Sequence, residues 1–153
     1  MIKQLGVTFS ILLAFTVFIN PVFAIEPLDR VDITNPRLVN SFGTQISNQI
    51  NVNQQVQISV DIKNNQEKAQ EFAYIVQIKN QDNITMSINW VIGSLNPGQT
   101  FSPALSWTPK VSGEYTAEIF VWDIENIVNN DGKIAKIIKN DALAEYATLK
   151  IIS

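Results

Sequence analysis

The chain has 153 residues, eleven basic and fourteen acidic, for a formal charge of −3. That is single-domain length with a mildly acidic balance, which argues against nucleic acid or an anionic membrane surface as partner, since basic patches hold both. It has neither cysteine nor histidine, so disulfides, a lipid-anchored cysteine, and the usual nucleophilic, acid–base, zinc and copper constellations cannot be built.

The first 24 residues read as an address. Lys3 supplies a basic start, Leu5 to Ile19 is almost wholly apolar, and Pro21-Val22-Phe23-Ala24 offers a small-residue cleavage site. The apolar run is shorter than the roughly 20 residues of a spanning helix. We therefore expect residues 1–24 to be a signal peptide, with retention as an anchor left open. A pilin-like filament subunit that keeps this segment as an assembly helix is the alternative. Gly6 faintly suggests it, whereas Leu5 and Pro21 speak against it. Cleavage would remove Lys3 alone among the charges, leaving ten basic against fourteen acidic residues, or −4.

Residues 25–36 carry two prolines and mixed charge and read as a leader segment, followed by one domain over 37–153. Arg37 to Phe42 is predicted to be a short edge strand closed by Gly43, and Asn48 to Gln55 is polar. Val56, Ile58, Val60 and Ile62 then alternate with polar residues, the period-two pattern of a half-buried strand. Phe72, Tyr74, Val76 and Ile78 form the next apolar set, and Met86, Ile88, Trp90 and Ile92 another. Pro97-Gly98 fits the centre of a type II turn. Phe101, Leu105 and Trp107 follow, with Pro103 confining that segment to an edge or a bulge. After a Ser-Gly turn, Tyr115, Ala117, Ile119 and Val121 face one way while Phe120 and Trp122 face the other. The last strand runs from about Tyr146 to Ile152.

About seven short strands with regular turn signals predict an all-β antiparallel sandwich of immunoglobulin type. The excursion at 124–141 is longer than a tight connection. Its Asp131-Gly132 pair, flanked by apolar residues, signals a type I′ hairpin, with a helical turn near Ile134–Asn140 as the competing reading.

Trp107-Thr108-Pro109, Gly113-Glu114-Tyr115, Val121-Trp122 and the Leu95-Asn-Pro-Gly-Gln99 turn resemble the signature residues of fibronectin type III-like and CARDB-like adhesion modules of archaeal or bacterial exported proteins. The resemblance covers about residues 37–153. It implies a sandwich in which the Tyr115 hydroxyl bonds back to the backbone at a corner. It implies no ligand, and the 124–141 excursion exceeds a minimal module.

Calcium needs only oxygen ligands, which makes Asp123, Glu125, Asn129 and Asp131 the metal candidates. Aligning Gly132 with the glycine of an EF-hand loop places Ile127 and Ile138 at ligand positions, so that motif fails and a solvated turn is the plainer reading. Asn83-Ile84-Thr85 is the N-glycosylation sequon. Trp90, Trp107 and Trp122 could stack on a sugar. Trp90 and Trp107 lie on the apolar phase of their strands and are expected in the core, while Trp122 is the better candidate for an exposed contact. The acidic residues are scattered, so a carboxylate-based hydrolase has no recognisable pair. These observations lead us to expect a non-catalytic secreted or cell-surface module, without cofactor. It would bind a protein or glycan of the envelope through loops or a sheet edge such as Arg37–Phe42.

Overall fold

The computed structural model describes residues 25–153. The expected signal peptide at 1–24, and with it the filament alternative, lies outside the described residues. Among the described residues, ten strands form two antiparallel sheets: β1 (Val31–Val39), β2 (Gln45–Ile46), β3 (Val56–Asn64), β4 (Gln70–Asn80), β5 (Thr85–Leu95), β6 (Thr100–Phe101), β7 (Ala104–Trp107), β8 (Glu114–Val128), β9 (Ile134–Ala142) and β10 (Ala147–Ile152). The first sheet has the order β2-β1-β3-β6. Because Pro103 breaks the last segment, β6 and β7 pair in tandem along the same side of β3. The second sheet has the order β10-β8-β4-β5. The 15-residue β8 pairs with β10 along its first half and β9 along its second.

Period-two patterning sets the layers. Val56, Ile58, Val60 and Ile62 of β3 turn inward and meet Phe72, Tyr74, Val76 and Ile78 of β4 and Ala117, Ile119 and Val121 of β8, all buried. Each such side chain contributes about 1.5–3 kcal/mol by leaving water, which offsets the chain entropy lost on folding. The Tyr74 phenol is buried among them. Its hydroxyl donates to the Ile58 carbonyl at 2.9 Å, and burial raises its pKa above the ordinary value. Trp107 packs against this core edge-to-face with Tyr115, at 4.9 Å between ring centroids. The Tyr115 hydroxyl donates to the Val111 carbonyl at 2.7 Å, the back-bond that the resemblance implies. Pro109 accepts from the Asn53 amide, and Gly113 exchanges two backbone bonds with Ser153, so the Trp-Thr-Pro and Ser-Gly corners are tied to the segment before β3 and to the residue after β10, which lie side by side.

Three hairpin turns are built alike. In Asn40–Thr44, Asn80–Ile84 and Asn129–Lys133, the first residue's amide donates to the fifth residue's carbonyl, and its carbonyl accepts from the fourth residue's amide. The fourth residue adopts positive φ: Gly43 at 78°, Asn83 at 62° and Gly132 at 78°. This is a three-residue loop with a left-handed closing residue. The excursion at 124–141 is thus a hairpin extension of β8 and β9, with no helical turn. Its loop is not the two-residue type I′ turn expected at Asp131-Gly132. Only Gly132 takes positive φ, and Asp131 keeps the negative φ of an ordinary type I turn.

Two expectations near the start need correction. β1 begins at Val31, inside the segment read as a leader. It accommodates Pro36 by a bulge between Thr34 and Arg37, with Asn35 at a φ of 55°. The segment Arg37–Phe42 is not an open edge strand. β1 ends at Val39, the chain turns back through Gly43, and Gln45–Ile46 covers Leu38 and Val39 on the side away from β3.

Asp61, on the outward face of β3, ties three segments together. Its carboxylate accepts from Ser102 Oγ at 2.6 Å, Asn35 Nδ2 at 3.0 Å and Arg37 at 2.8 Å. The Ser102 hydroxyl, with Asn35 and Arg37, holds its pKa at about 2.

Candidate functional site

The register of the second sheet decides what faces water. Inward Phe72, Tyr74, Val76 and Ile78 of β4 stand opposite Gly93, Val91, Asn89 and Ser87 of β5, bulky against small or polar. Phe72 lies so close to Gly93 that a Cβ there would sit 2.8 Å from its ring. The other phase of β5 therefore turns outward. Ile88 pairs with Gln77, Trp90 with Ile75 and Ile92 with Ala73. Trp90 is 58% exposed and Ile88 54%. The expectation that Trp90 packs in the core is thus overturned, because alternation shows that one face of a strand is apolar without saying which layer receives it.

The outward face continues across the sheet. Ile75 pairs with Phe120 and Ala73 with Trp122, and Phe120 stacks on Tyr146 at 5.5 Å with the rings 24° apart. Phe120 and Trp122 meet edge-to-face at 6.1 Å. Ala73, Ile75 and Ile124 are buried beneath this cover, with Phe120, Trp122 and Ile138 half-buried beside them. A ridge of Trp90, Ile75, Phe120 and Tyr146 thus spans the sheet, and Tyr146 is itself 55% exposed. Trp122, singled out as the more exposed tryptophan, lies on this outward face but is half-covered, so Trp90 is the more accessible of the two.

Towards the opposite end of the sheet the same face becomes polar. Lys79 forms an ion pair with Glu118 at 2.9 Å, and Thr116, Thr148 and Lys150 lie alongside. Below the β5 edge, where the sheets part, Phe72, Val91, Gly93, Phe101 and Pro103 line a groove of about 350 Å³.

The calcium candidates are not brought together. The Asp123 carboxylate is occupied by Gln70 Nε2 at 2.7 Å, the Ile124 amide and Lys139, whereas Asp131 pairs with Lys133 in the distant hairpin turn. Lys133 also holds the Asp131 pKa below the ordinary carboxylate value. Glu125 lies on the β8 arm and Asn129 begins the turn. Among the described residues, no group of three carboxylates could hold a metal. Asn83 is exposed at the β4–β5 turn, and the hydroxyl of its sequon partner Thr85 accepts from Gln77 Nε2.

A family model described as SlaA-like, S-layer A-like, matches residues 23–132. No curated protein matches the sequence. Among solved structures, the C-terminal domain of wzt superposes with a TM-score of 0.54 at 13% identity, over 81% of this chain and 74% of that one. The alkylpurine DNA glycosylase AlkC of Pseudomonas fluorescens, bound to DNA containing an abasic site analog, gives 0.50 at 10% identity, over 81% of this chain but 31% of that one. The CARDB domain of a Pyrococcus furiosus protein, in complex with di-metal ions, gives 0.47 at 16% identity over 87% and 96%. At these identities the first two likenesses show a shared β-sandwich fold and nothing of what those proteins bind or do.

Proposed function

This chain belongs to the S-layer A-like family, and from that membership we propose that it serves as a non-catalytic structural module at a cell surface, held in place through the outward face of its second sheet. The observation that carries this reading is the ridge of Trp90, Ile75, Phe120 and Tyr146, whose outer members stand more than half in water. Contiguous exposed apolar patches larger than a few hundred Å², rimmed by polar residues, mark interaction sites. Aromatic side chains also give large contact area for little entropy loss. The lack of histidine and cysteine supports the non-catalytic part of the reading.

The test is retention in isolated cell envelopes. Trp90→Ser with Tyr146→Ser, on the outward ridge, is expected to release the protein into the soluble fraction while its circular dichroism stays that of a β protein. Lys133→Ser, in the exposed hairpin turn, serves as control and is expected to change nothing. Undiminished retention of the double variant would refute the reading.

A further inference from the structure

Among the described residues, every free edge of these sheets except one carries a device against pairing. β2 and β6 are two residues long, and β6 is separated from β7 by Pro103. β9 carries Lys136, Lys139 and Asp141, and β10 carries Lys150 and is bridged by Gln49 at Ile152. β5 is different. It is eleven residues long, it pairs with β4 on one side only, and Thr85–Leu95 contains neither a charged residue nor a proline. Its bulge lies at the Thr85 end, opposite Ile78/Lys79, and leaves Ser87 to Leu95 in unbroken register. Shortness, charge, proline and bulges are the means by which edges are kept from pairing, and the long run of β5 has none of them.

We propose that β5 is the docking strand for a second copy of this chain, which adds its own β5 antiparallel about a twofold axis near Trp90. This rests on the surface-module reading and names the partner of the same face. Three observations select another copy as the occupant. First, a net-acidic chain would repel its copy at most surfaces, but β5 brings no charge of its own to the contact. Second, residues directly opposite each other in an antiparallel pair share a face, so a self-paired strand must set outward residues against outward ones. An axis at Trp90 places Trp90 against its own copy and Ile88 against Ile92, which are aromatic and β-branched pairs of the kind that stabilise sheets. Third, the apolar face of each copy runs up to the β5 edge, so joining the edges makes one continuous apolar face. With Phe101 and the groove beneath β5 also covered, the area lost to water reaches the order of 1,000 Å², near the lower limit for a specific interface.

The absence of native cysteine makes single-cysteine variants unambiguous reporters. In an antiparallel pair, only the residue on the twofold axis faces itself, at a Cα separation within disulfide reach. Asn89→Cys, Trp90→Cys and Val91→Cys would each be made in the full chain and mildly oxidised. One of the three is expected to give a covalent dimer at least tenfold faster than the other two, with Trp90→Cys the favoured one. Sedimentation of the cysteine-free protein should show a concentration-dependent dimer that Ile92→Lys weakens at least tenfold. Equal cross-linking at all three positions, or none, overturns the proposal. So does a monomer that persists to millimolar concentration. A monomer that still binds envelopes would overturn self-pairing alone, whereas a dimer that fails to bind envelopes would overturn the surface-module reading alone.

Discussion

The outward placement of the Ile88–Trp90–Ile92 row can be tested by the stability of two matched variants. Ile88→Thr and Ile119→Thr make the same chemical change in strands of the same sheet, and both residues are β-branched, so strand propensity cancels. Ile119 is fully buried on the central strand β8. Its replacement removes apolar contact and places a hydroxyl in the apolar core beside Tyr74, Val76 and Val121, at a cost of about 3 kcal/mol or more. Ile88 keeps 54% of its surface in water. The area it buries is about 80 Å², worth roughly 2 kcal/mol at most, and threonine retains more than half of that contact. The expected loss is below about 1 kcal/mol. Urea unfolding at low protein concentration would show the difference. With a slope near 2 kcal/mol per molar, the Ile119→Thr midpoint should fall at least about 1 M below that of Ile88→Thr. Equal shifts, or the larger shift in Ile88→Thr, would mean that β5 packs its even-numbered residues inward and that the proposed surface does not exist.

Two further expectations concern the frame around that surface. Asp61 has its pKa lowered from 3.8 to about 2, so its bonds to Ser102, Asn35 and Arg37 stabilise the fold fully above pH 4 and are lost as pH falls towards 2. Its side chain is 27% exposed, so solvent screening limits the effect to about 1 kcal/mol. Unfolding of wild type and Asp61→Asn should therefore converge between pH 4.5 and 2, and parallel curves would refute the assignment. Gly93→Ala would drive a methyl group into the buried Phe72 ring, at a cost of about 1–3 kcal/mol in thermal or urea unfolding, and a neutral result would show that the ring can swing into the groove.

The strands were legible because their chemistry repeats every second residue. Val56 to Ile62, Phe72 to Ile78 and Tyr115 to Val121 all show the predicted phase in the core. The facing of β5 was not legible from β5 alone. Its alternation of Ile88, Trp90 and Ile92 with Asn89, Val91 and Gly93 is satisfied by either layer, and only pairing with β4 fixes it. The signal that could have found it lies in β4, where Phe72, Ala73, Tyr74, Ile75 and Val76 form one unbroken apolar run. A strand buried on both faces reads as continuous rather than alternating, and its outer face then needs a cover of its own. Phe120 and Trp122 in the opposite phase of β8 belong to that cover. Arg37–Phe42 reads as an edge strand because its apolar pattern does not mark the hairpin loop at Asn40–Thr44, which shares its build with the turns at Asn80 and Asn129.

The face and the edge lie on one strand, so pairing the edges would also bring the two apolar faces together at Trp90, and its driving force has a recognisable dependence on salt. Apolar burial strengthens when kosmotropic salts are excluded from the surface, whereas contacts between exposed charges weaken as the Debye length falls from about 10 Å at 0.1 M to about 3 Å at 1 M. The charged end of the second sheet, with Lys79, Glu118 and Lys150, offers the electrostatic route, and the Trp90 ridge offers the apolar one. If the ridge and the β5 edge make the contact, raising sodium chloride from 0.1 to 1 M should leave the dimer constant within a few-fold, and sodium sulfate should tighten it. Sedimentation equilibrium across both series separates the two routes. A dimer that dissociates steeply in sodium chloride would place the contact at the ion pairs and away from β5, because Thr85–Leu95 has no charge for salt to screen.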